Sequence, residues 1–164
     1  MRLLLGEICS LLSALCLMYS TFGKSKKKVL LWQTVNATFY SMASIFLGGY
    51  SAVVSNILTI TRNILQIKNR ITKKIVFIIC TLMICLGIAT NNRGWIGILP
   101  ITASVSYTIL LYVADSVRFI QFAVIINMLQ WAIFDGIIKA YPSLVMDVVI
   151  IGMSGFQLLK RRDE

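Results

Sequence analysis

The sequence predicts an all-α membrane protein: seven transmembrane helices, arranged as two three-helix bundles joined by a linker helix (3+1+3). Three observations carry this expectation. Of 164 residues, 58% are hydrophobic and 13% charged, and the mean hydropathy is +0.84. Apolar segments near the roughly 20 residues that cross a bilayer fill almost the whole chain. Lysine and arginine gather in every second connection between them, as topogenic charge does.

The seven segments are 3–20, 29–47, 50–67, 73–91, 96–114, 117–135 and 140–158. The first competes with a cleaved leader, but the stretch from Leu3 to Tyr19 is long for one and only Arg2 precedes it. In "LSALC", Leu15 stands where a lipoprotein site has a small residue, so a first spanning helix is expected. The second and third are separated by Gly48-Gly49-Tyr50 alone, a minimal turn, and together are too long for one span. The fourth is apolar on all faces from Ile75 to Ile88 except at Thr81, as a lipid-facing linker would be. Pro100 either kinks the fifth or occupies an early, harmless position. Pro142 suits the start of the seventh. Gly87, Gly97, Gly152 and Gly155 are expected to allow close packing, and Trp32, Trp95 and Tyr141 to sit in the interfacial belts.

One polytopic domain, 1–164, follows, with a first repeat over about 1–70, a linker over about 71–93 and a second repeat over about 94–164. An offset of 88 pairs Gln33 with Gln121, Gly48 with Gly136 and Ala52 with Ala140, whereas an offset of 91 pairs Asn36 with Asn127 and Tyr40 with Trp131. Hydropathy supports the repeat better than residue identity does.

Charge sets orientation. Lys24, Lys26, Lys27, Lys28, Lys68, Arg70, Lys73, Lys74, Arg118, Lys160, Arg161 and Arg162 fall on one side, against Arg2, Arg93 and Lys139 on the other. The positive-inside rule then puts the amino terminus outside and the carboxyl terminus in the cytoplasm. The same rule accounts for the net charge of +10 without nucleic acid. Short loops leave no room for a soluble catalytic domain. With no histidine, and with Cys9, Cys16, Cys80 and Cys85 all in apolar segments, metal and haem ligand sets are missing. No phosphate loop and no paired catalytic carboxylates stand out, so neither an enzyme nor a cofactor is expected.

Polar residues inside the apolar segments are the functional signal, because they are costly in hydrocarbon. Helical faces gather Gln33, Asn36, Tyr40 and Ser44; Asn56, Thr59, Asn63 and Gln66; Asn127, Gln130 and Phe134 beside Trp131; and Ser143, Asp147 and Ser154. They either line an aqueous cavity for a polar solute or act as interhelical glue. Asp147 is a candidate proton carrier, or a structural partner of Arg62 or a serine. Arg62 either snorkels to the interface or pairs with Asp147 or with a substrate anion. Glu7 is expected at the outer interface.

The run "LGGYSAVVSNILTITRN", Leu47 to Asn63, resembles the central signature of YgjV-type bacterial inner-membrane proteins, and the basic loop after the first segment and Ile98-Leu99-Pro100 agree. The resemblance implies a bacterial inner membrane and points to Asn56, Arg62 and Asn63, without implying a particular chemistry. The 3+1+3 layout is similar to that of the SWEET sugar and PnuC vitamin transporters. Their proline–glutamine loop signature is missing, since Pro100 is followed by Ile101 and the first segment has no proline.

The expected function is a small secondary carrier or facilitator. Gln33, Asn36, Tyr40, Asn56, Asn127, Gln130 and Trp131 would contact a polar small molecule, and Asp147 and Arg62 would serve as proton carrier or ion pair. The competing class is a non-transporting structural or regulatory membrane partner. Expected partners are membrane lipids and the polar solute, not nucleic acid, with a homo-oligomer left open.

Overall fold

The computed structural model describes residues 2–47, 50–91, 94–137 and 141–160. Among these are seven α-helices: α1 Arg2–Thr21, α2 Lys26–Leu47, α3 Tyr50–Ile67, α4 Lys73–Ala89, α5 Ile98–Val113, α6 Val117–Ile137 and α7 Tyr141–Lys160. A 3-10 turn, Gly94–Gly97, leads into α5. Each helix stands on one of the seven apolar segments. The Gly48-Gly49 turn, Arg93, Lys139, Arg161 and Arg162 lie outside the described residues, as do the side chains of Glu7, Tyr141, Pro142 and Ser143.

Helix starts on the lysine-bearing side are set by capping hydroxyls. The Ser25 hydroxyl accepts from Lys28 N at 3.4 Å, that of Thr72 from Ile75 N at 3.3 Å, and that of Ser116 from Phe119 N at 3.2 Å. Ser25 explains why α2 begins at Lys26, ahead of its apolar segment. Lysine and arginine in these first turns oppose the helix dipole, at about 0.3–1 kcal/mol each. The charge is tolerated there because side-of-membrane preference outweighs that penalty. On the same side α3 ends in a Schellman turn: Asn69 N donates to Gln66 O and Arg70 N to Leu65 O. Asn69 takes the left-handed conformation, φ 52°, that such a turn needs. Pro100 is the third residue of α5, where its missing N–H costs nothing, so the early reading holds.

Helices adjacent in sequence pack together. α2 lies against α1 and α3, α6 against α5 and α7, and α4 against α3 and α5. Farther apart in the chain, α1 touches α7, α3 touches α5 and α2 touches α6. The apolar core comes from α2, α5, α6 and α7, with Leu30, Leu111, Ile120, Ala123 and Ile150 at its centre.

The molecule is apolar outside and polar within. Phe77, Ile88, Phe156 and Leu159 face outward, while Gln33, Arg62, Asn63, Gln66, Thr108 and Gln121 are buried. Water would not tolerate such a surface; hydrocarbon does. α4 shows the logic best. It is apolar all round, yet it buries only Val76, Ile79, Cys80, Met83 and Gly87, one helical stripe. A Cβ on Gly87 would stand 2.8 Å from Ile101 Cγ1, so α4 and α5 approach closely there.

Gly152 and Gly155 have open space beside them, against the expectation of close packing, because they fall on α7 away from its neighbours. Among the described residues three stretches are long and apolar enough to span a membrane: Leu4–Thr21, Gly94–Val113 and Val117–Phe134. In α2 and α3 the polar stripes lower the hydropathy that spanning helices usually show. α4, with 17 residues, rises about 26 Å, slightly short of a hydrocarbon layer of about 30 Å.

Candidate functional site

The polar stripe of α3 turns inward and meets α5. At one turn per 3.6 residues, Arg62, Asn63 and Gln66 share a face, as do Ser104, Tyr107, Thr108 and Leu111 of α5. Arg62 is 1% exposed. Its Nε and Nη2 donate to Asn63 Oδ1 at 3.1 and 2.9 Å, and Nη1 donates to Thr108 Oγ1 at 2.8 Å. The guanidinium carbon lies 5.0 Å from the centroid of the Tyr107 ring. Gln33 Nε2 of α2 reaches the Tyr107 hydroxyl at 2.6 Å, and Gln66 Nε2 donates to Leu111 O at 2.6 Å.

The snorkelling reading of Arg62 is therefore wrong. The side chain points into the bundle because Thr108 and the Tyr107 face offer it partners there. Pairing with Asp147 is not observed either; among the described residues the guanidinium meets no carboxylate. Three hydrogen bonds from a charged donor and a ring face offset part of its desolvation. A buried cation surrounded by neutral groups remains costly, by several kcal/mol before such compensation.

Two further ties lie on the lysine-bearing side. Gln121 Nε2 of α6 donates to Thr21 O at 2.8 Å, and Lys26 Nζ donates to Ala114 O at 2.6 Å. Lys26 sits outside the spanning segment, and burial pushes its pKa below the ordinary 10.5, with Asp115 partly opposing the shift.

The remaining expected site residues do not join this cluster. Asn36 Nδ2 donates to Ser13 O and Oγ at 2.9 and 2.8 Å, tying α2 to α1. Gln130 Nε2 donates to Ser106 Oγ at 3.0 Å, tying α6 to α5. Both amides are thus engaged with a neighbouring helix. Trp131 packs against the core and stands edge-on to Phe134 at 5.9 Å. Tyr40, Asn56, Asn127, Trp131 and Asp147 lie about three turns or more from the lysine-side ends of their helices, beyond the Arg62 layer. Tyr40 is exposed; Asn56, Asn127 and Asp147 are half-buried. Sequence reading missed Tyr107 and Thr108. Their signal was the Ser104-Tyr107-Thr108 spacing in "SVSYTILL", an apolar stretch in which hydroxyls pass for ordinary helix residues.

A family model described as Imp-YgjV, bacterial inner membrane protein, matches residues 4–164. The chain belongs to the Imp-YgjV family. Arg62 and Asn63, which close the run resembling the YgjV signature, are thus the residues at the centre of the buried cluster. No curated protein and no solved structure matches the chain. Among the described residues no group of histidine, cysteine and carboxylate side chains could hold a metal ion. Two clefts open on the outer surface, about 380 and 300 Å³, lined by residues such as Phe119 and Phe122 in one and Ile84 and Ile101 in the other. Neither cleft is lined by the Arg62 cluster, which is packed and closed.

Proposed function

We propose that this inner membrane protein is a carrier that moves a polar small molecule by rocking α1–α3 against α5–α7, with α4 as linker. One observation carries the reading. Among the described residues, five side-chain hydrogen bonds cross between the triplets: Lys26 to Ala114, Gln33 to Tyr107, Arg62 to Thr108, Gln66 to Leu111 and Gln121 to Thr21. All five sit in the lysine-side half of the helices they join. Glue placed for stability alone would be spread along the helices; a set of five such bonds at one end resembles a closed gate. By the positive-inside rule this end is cytoplasmic, with the amino terminus outside.

The contact pattern supports two equivalent halves. Exchanging α1 with α5, α2 with α6 and α3 with α7 maps the contacts among these six helices onto themselves, while α4, packed against α3 and α5, stands outside the exchange. Gln33 and Gln121, paired at an offset of 88, each reach from the middle helix of one triplet to the first helix of the other. The Asn36–Ser13 and Gln130–Ser106 ties likewise correspond. Asn56, Asn127, Tyr40 and Trp131 on the far side of the gate would meet the solute, and Asp147 would couple protons. Among the described residues, the reading as a non-transporting partner is favoured at Asn36 and Gln130, whose amides are engaged within one triplet.

Thiol labelling tests the gate. Leu111 is fully buried, and its backbone carbonyl survives substitution. In a background with the four native cysteines replaced, Leu111→Cys should react with a membrane-impermeant reagent applied from the lysine-bearing side. Complete protection from that side in a folded protein would rule out the rocking motion. Asp147→Asn should abolish pH-dependent solute uptake into proteoliposomes; an unchanged pH profile would remove Asp147 from the mechanism.

A further inference from the structure

The Arg62 cluster holds a charge and three amide atoms that the fold leaves unanswered. A guanidinium has five N–H donors, and three bonds to Asn63 and Thr108 are made. Asn63 Nδ2 and Gln66 Oε1 are buried and have no hydrogen-bond partner among the described residues. Amide orientation does not remove the mismatch. Asn63 Oδ1 must face Arg62 and Gln66 Nε2 must face the Leu111 carbonyl, because a guanidinium only donates and a carbonyl only accepts. Gln33 keeps one unpaired amide atom whichever way it is turned against Tyr107. Buried polar groups in native proteins are nearly always partnered, so such a concentration of exceptions points to a partner that the chain itself does not supply.

Among the described residues the guanidinium meets no carboxylate. Asp115 follows α5 and acts on Lys26, and Asp147 stands about 20 Å along α7 from its lysine-side end. Lipid headgroups are also out of reach of a side chain that is 1% exposed.

We infer that the Arg62 layer binds the carboxylate of a small organic anion that also carries a hydroxyl. The carboxylate takes the remaining Arg62 N–H groups and Asn63 Nδ2, both donors. The hydroxyl donates to Gln66 Oε1, one turn along the same face, an acceptor that an anion alone leaves unpaired. Small size follows from the closed packing, since the ligand must enter as α3 and α5 part. This deepens the carrier reading and rests on it for the ligand's route, because the site lies within the gate.

Glycolate is the smallest probe with both groups. Acetate lacks its hydroxyl and glycolamide its charge. With full-length protein in detergent, at ionic strength matched with chloride, glycolate should raise the apparent unfolding temperature saturably. Its half-saturating concentration should lie about tenfold below that of acetate, the worth of one buried hydrogen bond. Glycolamide should give no shift. Arg62→Lys keeps a cation but loses the fork, and should weaken the glycolate effect; Gln66→Leu should erase the difference between glycolate and acetate. Absence of a glycolate-specific shift in the wild-type protein overturns the proposal, as does an equal shift with glycolamide. A glycolate shift with Leu111→Cys fully protected would keep the site and discard the carrier. Labelling of Leu111→Cys without any glycolate shift would do the reverse.

Discussion

Thr108→Val tests whether the Arg62 cluster is as dry and as dependent on α5 as the geometry says. Valine has nearly the shape of threonine, so no cavity forms, but Arg62 Nη1 loses the acceptor it meets at 2.8 Å. Hydrogen bonds to charged groups contribute about 1.5–3 kcal/mol. Interhelical bonds between neutral groups in membranes average about 0.6 and reach about 1.7 kcal/mol. A charged donor that is 1% exposed belongs near the top of the membrane range. The expected loss is therefore about 2 kcal/mol, or about 30-fold in the folding equilibrium. Thr81→Val is the control. Thr81 is exposed on α4 and bonds only Phe77 O of its own helix, as Thr108 also bonds Ser104 O of its own, so the control removes the intrahelical part alone. It should change stability by no more than about 0.5 kcal/mol. Reversible SDS titration in mixed micelles, followed by helical circular dichroism, reads both. A Thr108→Val cost no larger than that of Thr81→Val would mean that Arg62 finds other partners, and the argument for an unanswered charge would fail with it.

The glycines and Lys26 give two more tests. Gly87→Ala sets a Cβ 2.8 Å from Ile101 Cγ1, and overpacking of about 1–3 kcal/mol should exceed the helix-propensity gain of about 1 kcal/mol. Gly152→Ala meets open space and should stabilise by about 0.5–1 kcal/mol in the same titration; a gain for both would remove the close approach of α4 and α5. Because burial lowers the Lys26 pKa, the folded protein binds fewer protons than the unfolded chain in the window just below 10.5. Stability should thus rise with pH as it climbs through the lowered value, and this slope should vanish in Lys26→Met; equal slopes in both proteins would contradict the assignment.

Much of the fold was legible in the chain. The alternation of lysine-rich and lysine-poor connections and the length of each apolar run gave the helix number and close boundaries, since a bilayer leaves the backbone no other way to satisfy its hydrogen bonds. The cluster was only half legible. The stripes placed Arg62, Asn63, Gln66 and Gln33 on helix faces, but spacing alone does not say which stripe meets which. Asn36 and Gln130 looked like Gln33 in the sequence, yet serines on neighbouring helices had already engaged them.

Sequence alone determined that this chain belongs in a membrane, how many helices it forms and which end of each carries charge, because these follow from transfer energies summed along single segments. Tertiary structure decided that Arg62 turns inward rather than to the interface, that Tyr107 and Thr108 receive it, and that, among the described residues, the bonds of Gln33, Arg62, Gln66 and Gln121 gather at the lysine-bearing end. Those outcomes depend on which helix faces come within about 3 Å of one another, a property of pairs of segments distant in the chain.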